Sequence, residues 1–185
     1  MYARAIVVAA VGVALIAAGL WFFGTRDAPT TAYAAPGMEA LTPDDAYAQA
    51  HRLAPALLLV VYDAFGRTNE DEIYDTLATV ADGEALKGLY LERAGAMAGG
   101  GLDGSDQTVH ELKLTGMTTR RDGAALEMDA TWEVVGIVGH AEHQHVRGNT
   151  YRARLTVAPV DSRWKVTRFD LLDVVRNADA PPQAT

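Results

Sequence analysis

The apolar spacing of this chain changes from a period of 3.6 residues to a period of 2 across Gly99-Gly100-Gly101, which restricts it to folds that set helices against a sheet. Before the glycines, three amphipathic segments carry helix-start signals. Thr42-Pro43-Asp44-Asp45 combines a hydroxyl cap, proline at the first helical position and carboxylates beside the positive end of the dipole. The stripe Tyr47, Ala50, Ala54, Leu57, Leu58, Val61 and Phe65 comes next, with a kink expected at Pro55. Leu57 to Tyr62 is apolar all round and is expected beneath other layers. Asn69 and Glu72 form the ends of a capping box that opens a helix through Val80, with Ile73, Leu77 and Val80 inward. A third helix, about residues 84 to 97, presents Leu86, Leu89, Tyr90 and Met97.

After the glycines the pattern alternates. Residues 108 to 115 place His110, Leu112 and Leu114 on one face and Val109, Glu111 and Lys113 on the other. Arg121-Asp122-Gly123 signals a hairpin. Leu126, Met128, Ala130, Trp132 and Val134 then face inward, as do Tyr151, Ala153, Leu155 and Val157 on the following strand. A register that sets Trp132 opposite Leu155 also sets Glu133 opposite Arg154. In the last strand, 164 to 173, the apolar phase switches between Val166 and Phe169, so a bulge is expected near Thr167. Trp132 and Trp164 are expected in the core, stacked on Leu57, Val61 and Leu89, and not as a ligand platform.

Outside residues 42 to 175 the composition differs. Ala5 to Phe23 is 19 residues without a charge, long enough to cross a membrane, with residues 1 to 4 on the cytosolic side by the positive-inside bias. This places the domain outside the cytosol as a single-pass membrane protein; the alternative is secretion after cleavage near Ala34, at Ala32-Tyr33-Ala34. Residues 24 to 41 are rich in Thr, Ala, Pro and Gly and read as a flexible linker, and 176 to 185 as a disordered tail.

The segment VYDAFGRTNEDEIYDTLA, the helices and the meander closing in WKVTRFDLLD together resemble the nuclear-transport-factor-two-like (SnoaL-like, cystatin-like roll) superfamily over residues 42 to 175. The expectation is an α+β protein: an N-terminal transmembrane helix, then three helices packed on one face of a curved four-stranded antiparallel sheet. The resemblance also implies a bacterial envelope domain, anchored in the inner membrane or periplasmic after cleavage, in a superfamily whose enzymes place His and Asp inside a cone between helices and sheet.

Several function classes drop out on composition. The chain has no cysteine, which removes disulfides, thiolate metal sites and cysteine nucleophiles. With 16 Lys+Arg against 24 Asp+Glu and no basic cluster, it does not read as a nucleic-acid binder. Residues 39 to 97 hold 11 acids and 4 bases, so the helical layer is the acidic face.

The candidate metal site is the hairpin tip with His140, Glu142, His143 and His145, because imidazoles suit zinc, copper or nickel and alternation puts His143 and His145 on one side. The same tip also reads as a solvated polar turn. His110 is a candidate pocket base with Asp170 as its conceivable partner, and Tyr62, Tyr74 and Tyr90 are candidate cavity walls, although such residues also serve as core. No catalytic or cofactor-binding residue is assigned, and enzymatic activity is left open, leaning against. The leading functional expectation is a non-enzymatic module, tethered through residues 5 to 23, that binds an envelope protein or associates with itself. A divalent-metal module and a SnoaL-like enzyme or small-ligand carrier are the alternatives.

Overall fold

A computed structural model describes residues 31–98, 108–140 and 143–177. Its first element is unexpected. Tyr33–Ala35 (β1) and Met38–Leu41 (β2) form an antiparallel hairpin around Pro36-Gly37, where proline fixes its own φ and Gly37 takes φ +62°. Residues 33 to 41 are therefore a hairpin and not a linker. The polar composition of 24 to 41 conceals Tyr33, Met38 and Leu41, whose side chains join the core. The small-x-small sequence at Ala34 also belongs to this hairpin, with the Ala34 amide bonded to the Ser162 carbonyl at 2.9 Å.

Thr42 caps α1 (Pro43–Ala48) through a reciprocal capping box, its Oγ1 accepting from the Asp45 amide at 3.1 Å. The chain breaks at Gln49 and resumes as α2 (Ala50–Phe65). One kinked helix was expected here; the break comes at Gln49, and Pro55 sits within α2, which runs on through it to Phe65. Asn69 caps α3 (Glu70–Ala78), accepting from the Glu72 amide at 3.1 Å. The fourth helix, α4, spans Gly83–Ala98.

β3 (Thr108–Asp122), β4 (Ala125–His140), β5 (His143–Val160) and β6 (Arg163–Arg176) complete the chain as a meander. Gly123, at φ +60°, opens the first turn in the manner of a type II′ hairpin. Asp161 and Ser162, both at positive φ, make the last one. The strand order is β2-β1-β6-β5-β4-β3. A parallel step, Ala34 against Arg163, joins the N-terminal hairpin to the meander. The sheet is thus six-stranded and mixed, accompanied by four helices, and the expected four-stranded antiparallel cystatin-like roll with three helices is not what forms. The hairpin at 33 to 41 supplies the two extra strands, and the break at Gln49 supplies the extra helix.

The transmembrane helix was part of that expected architecture. Among the described residues no helix is long and apolar enough to cross a membrane, and Ala5 to Phe23 lies outside them. The expected membrane helix is accordingly no element of the described fold.

The inward alternation of β4 is present, with Leu126, Met128, Ala130, Trp132 and Val134 all buried. The register with β5 differs from expectation by four residues: Trp132 faces Tyr151, while Leu155 faces Met128. The cause is the connection, because His140 pairs directly with His143 and only two residues intervene. The opposed charges are consequently Asp129 and Arg154, and Asp129 accepts two bonds from Arg152 at 3.1 Å. Thr167 is the extra residue of a bulge in β6, between the pairs Thr156–Arg168 and Val157–Val166, which explains the phase switch of that strand. Leu59 projects from α2 at 48 % exposure, so Leu57 to Tyr62 is not covered all round.

Candidate functional site

A cavity of about 190 Å³ lies between α2, α4 and the sheet. On α2 it is lined by Leu58, Val61, Tyr62 and Phe65, positions that share one face at spacings of three and four residues. Leu89 and Glu92, three apart on α4, form a second wall. The sheet contributes Val109, Trp132, Tyr151, Phe169 and Leu171 from four strands. Gly66 closes the loop side.

Its aromatic wall has a definite order. Trp132 and Tyr151, opposed across β4 and β5, stack with centroids 5.7 Å apart and planes 15° apart. Tyr62 meets Tyr151 edge-on at 6.2 Å and Phe65 at 6.4 Å. The Trp132 Nε1–H donates to the Tyr62 hydroxyl at 3.0 Å, and the Asn149 amide donates to the Tyr151 hydroxyl at 3.2 Å. Burial pushes the Tyr62 phenol above the ordinary tyrosine range, the bond from Trp132 acts in the opposite direction, and the charges of Tyr151 and Glu92 add to the rise. Tyr62 is therefore neutral at all ordinary pH values. Its proton finds no acceptor among the described residues and remains available for donation.

Glu92 is exposed and has no ion-pair partner among the described residues. Its neighbour Arg93 turns inward, buried, and donates through Nη2 to the Arg67 carbonyl at 2.8 Å, just beyond the end of α2. Desolvation lowers the pKa of that guanidinium. The two residues divide the labour of α4: one fixes the helix, the other leaves a carboxylate at the rim.

Of the expected site residues with described side chains, Tyr62 lines this cavity and Asp170 does not. His140, His143 and His145 lie on β4 and β5, with His140 opposite His143 and His145 opposite Val138. Their side chains, and Glu142 altogether, fall outside the described residues. Among the described residues no group of three or more His, Asp or Glu could hold a metal ion. His110 is the residue skipped between the pairs Val109–Gly136 and Glu111–Val135, and its side chain likewise lies outside the described set. That irregularity reverses the local phase and gives Val109, expected outward, to the cavity. Asp170 binds Arg168 at 2.8 Å and alternates with the cavity residues Phe169 and Leu171, so it stands on the opposite face. Of the three tyrosines, Tyr62 lines the cavity, while Tyr74 and Tyr90 pack edge-on against each other at 5.6 Å.

Trp132 is both core and cavity wall. It is 1 % exposed, as a core residue should be, yet it borders the empty space, which a reading of alternation alone could not reveal. Glu92 and Leu171 were missed as well. The signal available for Leu171 was the run Leu171-Leu172-Asp173-Val174-Val175, which is too apolar and too poorly alternating for an ordinary closing strand.

No protein-family model matches the chain, and neither does any curated protein. Among solved structures it is similar to the intermembrane space region of the chloroplast protein ARC6, at 25% identity over 65% of this chain and 95% of that one, with a TM-score of 0.46. The functional reading rests on the cavity and not on that likeness.

Proposed function

We propose that this chain is a non-enzymatic protein-interaction module, and that the cavity between α2, α4 and the sheet is a socket for one apolar or aromatic side chain of a partner protein. The observation that carries this reading is the size of the space together with its walls. Small-molecule sites occupy roughly 300–1,000 Å³. At about 190 Å³ this cavity is below that range. It is nevertheless above the roughly 150 Å³ that accommodates a benzene ring in an apolar protein interior. A single ring or branched aliphatic side chain fits, and burying one contributes about 1.5–3 kcal/mol. Tyr62 and Glu92 give the socket polar groups at fixed points, the arrangement by which a pocket orients its anchor residue.

The chemistry of the lining favours binding over turnover. Its single carboxylate, Glu92, is exposed, the Tyr62 phenol stays protonated, and Asp170 is occupied by Arg168 on the other face. General acid–base catalysis needs a paired donor and acceptor poised near the working pH, and the described lining offers none.

N-acetyl-phenylalaninamide is the simplest probe of the socket. Its titration into the full chain is expected to shift the Trp132 indole and Tyr151 ring resonances and to saturate only above about 1 mM, weaker than about −4 kcal/mol, as suits a lone anchor. Leu89→Trp, which fills the space, should abolish those shifts while the chain remains folded. Saturable shifts that persist in Leu89→Trp, or a probe that leaves Trp132 unmoved, would remove the socket.

A further inference from the structure

We infer that the partner presents its anchor on an extended strand that adds to the open edge of β6 between Thr167 and Arg176, with a lysine or arginine placed for Glu92. This rests on the socket reading above and specifies what fills it. Among the described residues, the outer edge of β6 is paired only at its beginning. Ala34 pairs with Arg163, and Val166 bonds on both sides of the same bridge, its amide to the Val80 carbonyl at 2.8 Å and its carbonyl to the Asp82 amide at 3.0 Å. From Thr167 to Arg176 no strand among the described residues lies on that side. A strand edge normally carries protection in the form of charge, proline, bulges or covering structure, and β6 has bulges at Thr167 and Leu172 and packs against α4. Here the same stretch exposes Leu171 at 43 %, Leu172 at 45 %, Val174 at 46 % and Val175 at 51 %.

The edge and the socket are adjacent. Phe169 and Leu171 belong both to β6 and to the cavity lining, so β6 is the last strand between the cavity and the open side. An added strand would lie about 4.8 Å beyond it, with alternate side chains on the same face as Phe169 and Leu171. Main-chain pairing then supplies affinity and the socket supplies selectivity, the division of roles found in strand addition generally.

Charge selects the partner. The four charged residues of the open stretch, Arg168, Asp170, Asp173 and Arg176, sum to zero, and Arg168 holds Asp170 at 2.8 Å. The helical side of the cleft does not cancel, with 11 acids against 4 bases over residues 39 to 97 and the Glu92 carboxylate at the rim. An apolar strand with a basic residue complements it, whereas a second copy of this edge would bring no net positive charge.

Three fluorescent peptides of about ten residues, the length of a long strand, test this on the full chain. The first alternates Val, Leu and Thr around one Phe and carries two lysines; the second replaces the lysines by glutamates; the third is the lysine peptide N-methylated at its four central residues, which keeps every side chain and removes strand pairing. The lysine peptide is expected to bind at least about tenfold more tightly than either of the others, and Glu92→Gln to bring the lysine and glutamate peptides within about twofold. Equal binding of the methylated peptide with the Trp132 resonances still shifted overturns strand addition and leaves the socket standing. Failure of the lysine peptide to bind, or to move Trp132, overturns both. A homodimer in sedimentation that Leu172→Lys dissociates assigns the edge to self-association and also overturns the inference.

Discussion

The two described tryptophans occupy opposite ends of one core and are held in different ways. Trp164 is completely enclosed: its indole donates to the Leu41 carbonyl at 3.0 Å, and Tyr33 packs edge-on against it at 5.7 Å. Its bond ends on backbone, and its neighbours come from the N-terminal hairpin that completes the sheet. Trp132 is equally buried, but its indole bond ends on the side chain of Tyr62, and its ring forms the wall of a cavity. Equal burial therefore conceals unequal commitment. The Trp164 end is packed for stability, and the Trp132 end leaves room.

Removing each ring in turn should separate them most strongly. Trp164→Ala is expected to cost about 3–5 kcal/mol, seen as a lowered denaturation midpoint, and to free the β1–β2 hairpin for hydrogen exchange. Trp132→Ala should cost at least about 1 kcal/mol less, because the space beside it reaches the exposed rim at Glu92 and Leu171, so that water can enter the void. Equal costs would mean that the two ends are packed alike.

Enlarging a residue gives the reverse test. Leu77→Phe, in the closed part of the core, is expected to destabilise by about 1–3 kcal/mol through overpacking. Leu89→Phe, on the cavity wall, should be neutral or stabilise by about 0.5–1 kcal/mol. Thermal or urea unfolding of the two variants reads the difference directly.

Much of this frame was legible in the sequence, and the site much less so. Caps at Thr42 and Asn69, the alternation through Trp132 and the bulge at Thr167 are local matters of a few side chains and their own backbone. The hairpin at 33 to 41 was not legible, because two strands of three and four residues carry too few alternating positions to stand out from Thr, Ala and Pro. Register failed for a different reason: the direct pairing of His140 with His143 decides it, and the apolar alternation is satisfied equally by any even shift. The cavity is the least local feature. It depends on how far α2 and α4 stand from four strands, and Tyr62 and Trp132 look the same in sequence whether they fill a core or border a space.

Tyr62 sharpens the comparison at smaller energies. Tyr62→Phe should cost about 1–2 kcal/mol by leaving the Trp132 N–H without an acceptor, detectable as an upfield indole proton shift. The raised phenol pKa also fixes the sign of a pH effect. The native state resists ionisation that the unfolded chain undergoes near pH 10, so this contribution is complete below pH 10 and declines as pH rises beyond it. Alkaline stability curves should therefore fall less steeply for Tyr62→Phe than for the wild type.

The smallest effect is expected on the outer face. The bond from Arg152 holds the Asp129 carboxyl below its ordinary range, opposed by partial desolvation and aided by the charges of Arg152 and Arg154. Its stabilisation is present above the usual carboxylate pKa and lost as pH falls through the lowered one. Asp129→Asn should leave the unfolding midpoint at neutral pH almost unchanged, since exposed pairs contribute little.

Hydrogen exchange of the two indole Nε1–H groups, followed by NMR in the full chain, tests the difference between the ends most directly. The expected result is that Trp164 exchanges only with global unfolding, its rate following denaturant as the slowest core amides do, whereas Trp132 exchanges faster through a local opening that is nearly independent of denaturant. Equal protection of both indoles, each tracking global unfolding, would contradict an open end and with it the socket.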